Sequence, residues 1–174
     1  MKSTTNNVIK MKKIIATLFI ACSCWTNIQA QDVYYSIRNK AKESVESPET
    51  PMLMKKLNQF KIDALDYMVM KMREQMPDSS ATYLDKQAYA LNNFLLLYMR
   101  SVIDSQKLPK VQQVDIIKLF MDATYSNPLF NDQDKELVLA YFSDGSSFTR
   151  FSLDTNWQLA FIAVATEMKK RESK

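Results

Sequence analysis

Only one of the 174 residues is glycine, Gly145. That scarcity removes whole classes of fold. Hairpin-rich β architectures, P-loops and dinucleotide-binding units all need several positions where only a residue without a Cβ sits comfortably. Long runs carry apolar residues at helical spacing, and the five prolines fall mostly between those runs. The expected fold is all-α: an irregular helical bundle of about five helices, with a short extended link before the last.

The front of the chain has a separate logic. Residues 11–30 read MKKIIATLFIACSCWTNIQA. Lys12 and Lys13 precede an apolar run from Ile14 to Trp25, and a short polar region ends at Ala30. This is the pattern of a secretory signal peptide, too short for a membrane-spanning helix. Residues 1–30 are therefore read as a leader, cut between Ala30 and Gln31, with Met11 an alternative start. Residues 31–48 form a lead, either a short helix or a mobile arm, and residues 49–174 form a single helical domain. The two cysteines, Cys22 and Cys24, both lie in the leader, so no disulfide is implied downstream. LFIAC (18–22) faintly resembles a lipobox, which makes a lipid anchor at Cys22 the alternative to cleavage.

Removing the leader changes the charge balance. Of the 23 basic residues, Lys2, Lys10, Lys12 and Lys13 precede Gln31, and none of the 19 acidic residues does. The remainder is neutral and carries no basic stripe for nucleic acid.

Helix signals divide the rest of the chain. Thr50 as cap and Pro51 as first residue open a helix over 51–76, with Leu53, Leu57, Phe60, Ala64, Met68 and Met72 on one face. Met76-Pro77 closes it. A second helix follows a cap at Thr82 paired with Asp85, with Ser79 and Ser80 as competitors; Leu84, Ala88, Leu91, Leu95, Tyr98 and Val102 are its stripe. Pro109 opens a third, whose inner side is read as Val111, Val114, Ile117 or Lys118, Met121 and Tyr125, with Ile116, Leu119 and Phe120 on a second flank. A fourth runs from Asp132 to Phe142, capped by Asn131 or Asp132. The last begins after a cap at Asp154 or Thr155, carries Trp157, Phe161, Val164 and Met168, and has a well-buried first half. Between these two helices, Gly145 is expected to end the fourth with a positive φ. Phe148, Phe151 and Leu153 then anchor an extended link, in preference to a hairpin.

The chemical inventory is short. Without histidine, Cys-His zinc sites and histidine-based triads are excluded. No cofactor, metal or catalytic residue is assigned. Carboxylates are the one catalytic class with candidates: Asp63 with Asp66, Asp115 with Asp122, and Glu74, Glu136 and Glu167. Helix capping and ordinary exposure explain them better. Methionines crowd the first long helix, and Met54 and Met70 fall off its buried stripe, where an adaptable apolar surface could form.

The leader ending IQAQ (28–31), the segment QFKIDALDYMVMKM (59–72) and the late FSLDTNWQLAF (151–161) together resemble small exported helical proteins of Bacteroides and its relatives. The resemblance implies export in a Gram-negative bacterium, to the periplasm or beyond, and implies no site residue. The leading expectation is a non-enzymatic protein-interaction or structural module of the cell envelope with an envelope protein as partner. A carboxylate-dependent hydrolase of cell-wall or glycan material and a binder of an apolar small ligand are the alternatives.

Overall fold

The computed structural model describes residues 32–79, 81–143 and 148–172. Residues 1–31, Cys22 among them, and Ser80 and Gly145 lie outside the described residues, and with them the cleavage, lipidation and positive-φ expectations. Seven helical segments are described: α1 (Asp32–Glu46), α2 (Met52–Gln75), α3 (Ala81–Ser105), α4 (Lys110–Tyr125), α5 (Lys135–Val138), α6 (Ala140–Ser143) and α7 (Trp157–Glu172). Among the described residues there is no strand, so the chain is an all-α irregular bundle.

Helix α3 touches four others. The α1–α2 pair packs on it, and so does the α4–α7 pair. Its sequence explains that position: Ala88, Leu91, Phe94, Leu95 and Tyr98 are all essentially buried, and Ala90 and Ser101 extend the buried arc. An apolar arc that wide needs partners on more than one side. In α2 the stripe Leu57–Phe60–Ala64–Met68–Met72 is buried as its spacing predicts, but Leu53 is exposed. Residues 31–48, open between helix and arm, are helical from Asp32, with Tyr34 and Ala41 buried.

The centre is aromatic. Phe151, from the link, meets Phe60 of α2 and Phe94 and Tyr98 of α3 with ring centroids 4.9–5.5 Å apart. Trp157, fully buried at the start of α7, lies edge-on to Phe60 at 5.9 Å and Phe94 at 5.4 Å. Such edge contacts add about 0.5–1.5 kcal/mol each beyond the buried area. The link 148–156 has no regular secondary structure, yet residues 151–155 are all buried.

Several local expectations are corrected. Thr50 does not cap α2; Pro51 occupies that position, with no side-chain cap. Thr82 lies inside α3, which is helical from Ala81, and Asp85 reaches to another helix: its Oδ1 accepts the backbone N–H of Tyr34 in α1 at 2.9 Å. In α4 the buried residues are Phe120, Ala123 and Thr124, with Ile116 and Ile117 partly buried. Val111, Val114 and Tyr125 face outward instead, since they stand on the other side of the helix from Phe120, the largest apolar anchor. The helix expected over 132–142 is broken into α5 and α6. Val138 O accepts Leu153 N–H at 3.0 Å, and that bond ties the carbonyl to the link instead of to the next turn. The α5 cap is Asp134, whose carboxylate accepts Leu137 N–H. In α7, Asn156 rather than Asp154 or Thr155 accepts Leu159 N–H. Its first half is less buried than expected, with Leu159 and Ile162 exposed.

Candidate functional site

The acids that do converge are Asp132 and Asp154. The Asp154 carboxylate accepts three backbone amides, Leu129 and Phe130 on Oδ1 at 2.9 and 2.8 Å and Asp132 on Oδ2 at 2.8 Å. It thereby folds the 129–132 turn, in which Asn131 takes a φ of 54°. Asp132 in turn accepts Tyr67 Oη–H at 2.9 Å and Lys71 Nζ at 3.0 Å on Oδ2, and the Asp134 amide on Oδ1. Burial pushes the Asp132 carboxyl up, but the bonds from Lys71, the Asp134 amide and Tyr67 outweigh it and hold the group below the usual carboxylate range. Gln87, fully buried on α3, completes the knot by accepting Trp157 N–H at 2.8 Å and donating to Asn156 Oδ1 at 3.1 Å.

The carboxylates singled out from sequence do not gather. Asp63 accepts Tyr141 Oη–H and Gln59, whereas Asp66 takes a bidentate bond from Arg38 with both distances 2.7 Å. The Asp66 bond raises the Arg38 guanidinium further above its ordinary value. Asp115, Asp122 and Glu136 are exposed, Glu74 pairs with Lys71, and Glu167 pairs with Lys170 and Arg171. Among the described residues, no group of three or more Cys, His, Asp or Glu side chains is placed to hold a metal ion, and no helix is long and apolar enough to cross a membrane.

The methionines do not form one patch. Met54 and Met70 are 16 positions apart, about 24 Å along α2. Met54 packs against the core, while Met70 is 41% exposed. What forms instead is a groove at the end of α2. Tyr34 and Tyr35 of α1, Val69, Met72 and Met76 of the α2 end, and Leu84 of α3 enclose about 250 Å³. Val69 and Arg73 continue from it into a shallower depression beside Met70. Tyr35 is 56% and Met76 36% exposed. Arg73 lines both and has no carboxylate partner among the described residues. Helix α1 is held beside this groove by four polar ties: the Asp85 cap, the Arg38–Asp66 pair, Tyr34 Oη–H donating to Asp66 Oδ1 at 3.4 Å and Asn58 Nδ2 donating to Ser44 Oγ at 2.9 Å.

One residue that sequence reasoning passed over is Lys61. It sits four residues after Leu57 and four before Leu65, on the buried stripe itself. Its ammonium donates to Asn92 Oδ1 at 3.0 Å and meets no carboxylate among the described residues. Burial lowers its pKa below the ordinary lysine value. A lysine at a core register of a strong helical stripe was the available signal.

No protein-family model matches the chain, and no curated protein or solved structure matches it either.

Proposed function

We propose that the chain is exported to the periplasm or beyond and acts there as a non-enzymatic helical module that binds a protein of the cell envelope. The observation that carries this reading is the groove of Tyr35, Met72 and Met76 together with the depression beside Met70 that continues it. Flexible thioethers and amphipathic rings surround an apolar recess, and an unpaired Arg73 stands at its edge. Methionine and tyrosine adapt to a partner at low cost in conformational freedom, and arginine is enriched where interfaces have their anchors. The leader motif supports the compartment, and the neutral charge downstream of it supports a protein partner over nucleic acid.

The test is capture of partners from the native envelope with the mature protein and with a Tyr35→Ala/Met70→Asp variant. A reproducible partner retained by the first and lost by the second is expected. Equal retention by both would remove the groove from the account. Mass spectrometry of the mature N-terminus is expected to find Gln31. A lipidated Cys22 would make the domain a tethered one, and an intact Met11 would end the export reading.

A further inference from the structure

A second recess lies under α1 and shares no residue with the methionine groove. It encloses about 530 Å³ between α1, α2 and α3. Its walls differ in chemistry. Along α1, Val33, Ile37 and Ala41 recur every four residues and give it an apolar side. Facing them stand Lys61 and Asn58 from α2 and Tyr89 and Asn92 from α3, while Ser36, Lys40 and Ser44 complete the α1 rim.

The balance of donors and acceptors is uneven. Lys61 spends one N–H on Asn92 and keeps the others. That bond uses the Asn92 carbonyl oxygen and leaves its amide N–H groups without a partner among the described residues. Lys40, Ser36 and the Tyr89 hydroxyl make no hydrogen bond or ion pair among the described residues. No aspartate or glutamate lines the recess. The Lys61 ammonium is drawn into the bundle without a counter-charge among the described residues, and a negative group beside it would offset its desolvation; Lys40, exposed at the rim, adds only positive potential at the mouth.

We propose that this recess binds a small carboxylate-bearing molecule, with the carboxylate on Lys61 and Asn92 and the body of the ligand along Ile37, Ala41 and Tyr89. A ligand carboxylate there supplies the missing charge, and the adjacent apolar wall covers the rest of the molecule. Lysine offers a point charge rather than the planar fork of arginine, so the site selects charge and a body of the right size more than a particular head-group geometry. A short-chain fatty acid and an acidic sugar share this chemistry and differ in whether the body meets the Val33–Ile37 wall or the Ser36–Ser44 rim. The inference stands apart from the partner groove, and either can fail alone.

The experiment is titration of the mature protein, followed by NMR amide shifts, with hexanoate, glucuronate and inorganic phosphate. Saturable binding of hexanoate or glucuronate is expected, with shifts centred on residues 36–44, 58–61 and 89–92. Hexanoate binding alone assigns a fatty-acid source, glucuronate alone a sugar source. Lys61→Met should weaken binding of the preferred carboxylate by about tenfold or more, because a charge-assisted bond is lost. Lys40→Gln, at the exposed rim, keeps the fold and should weaken it by a smaller factor. Binding of phosphate with no binding of either carboxylate would overturn the proposal, as would shifts outside the recess or unchanged affinity in a folded Lys61→Met protein.

Discussion

The link 148–156 and the seam beneath α1 both carry polar side chains into the bundle, and they do opposite things with them. In the link, Asp154 answers three backbone amides, Thr155 Oγ1 donates to Ser152 O at 2.7 Å, and Tyr98 donates to Phe148 O at 2.8 Å. Polar demand is met within the chain. Under α1, by contrast, Lys61 meets only Asn92, exposed Lys40 and Arg73 stand at the rims without a carboxylate partner among the described residues, and apolar rings and thioethers face two recesses. Satisfied buried polar groups fix one conformation; unsatisfied ones at a recess leave a place for something else. A chain can therefore look equally polar in two segments and use one for its own shape and the other for binding.

The sharpest way to break this contrast is Trp157→Ala. Removing a fully buried ring shared by Phe60 and Phe94 is expected to cost roughly 3–5 kcal/mol in chemical denaturation. Trp157 Nε1 has no hydrogen-bond partner among the described residues, so Trp157→Phe should cost clearly less. If Trp157→Ala keeps near-normal stability and abolishes partner capture, the link is a recognition element and the contrast collapses. Asp154→Ala comes next, at about 3 kcal/mol, because it leaves three amides of the 129–132 turn without their acceptor.

A pH series separates the two regions with a smaller effect. The depressed Asp132 carboxyl means that the unfolded chain binds more protons across the acid window. The stability it contributes is fully present above the ordinary aspartate value of about 3.9 and is lost as pH falls through the lower folded value. Lys71 is raised chiefly by its bond to Asp132, so its contribution is present below the ordinary lysine value of about 10.4 and is lost as pH rises past it. Denaturation midpoints of Asp132→Asn should show a flatter fall on both limbs. An unchanged acid limb would mean that this pair does not lock the turn.

Smallest of all should be the stability effects at the seam. Tyr35→Ala and Met70→Ala are expected to stay within about 0.5 kcal/mol of the parent, as exposed positions do. Lys61→Met should leave stability unchanged or raise it by up to about 1 kcal/mol, since it removes an unpaired ammonium from a partly desolvated place. A large loss in Lys61→Met would make that lysine part of the scaffold and erase its difference from Asp154.

How much of this was legible in the sequence follows the same divide. Periodicity located α2, α3 and most of α7, because each has one dominant apolar stripe. It misjudged α4, where Val111 and Val114 offered a second stripe of similar strength and only the position of Phe120 against Phe94 and Tyr98 decides between them. It could not break the 132–142 helix, since the interruption depends on Leu153, a residue 15 positions beyond Val138. Caps failed for a related reason: Asp85 and Asp154 have the chemistry of local caps but accept distant amides, and Asp132 divides its carboxylate between the nearby Asp134 amide and the distant Tyr67 and Lys71. For the sites, Met70 was visible as an off-stripe methionine. The recess around Lys61 was not, because it needs α1 laid across α2 and α3, and α1 is positioned by polar ties that no periodicity records.

The link is also a matter of timing. Phe151, Asp154 and Trp157 come well after Phe60, Phe94 and Tyr98 in the sequence, yet they fill the middle of the molecule. A polypeptide made from its N-terminus presents those three rings before the residues that cover them arrive. Until then α2 and α3 lack the side chains that close their core, and the exposed apolar surface is of the kind that chaperones capture. Arrival of residues 151–157 supplies the missing centre, so closure of the core waits on the link and the start of α7.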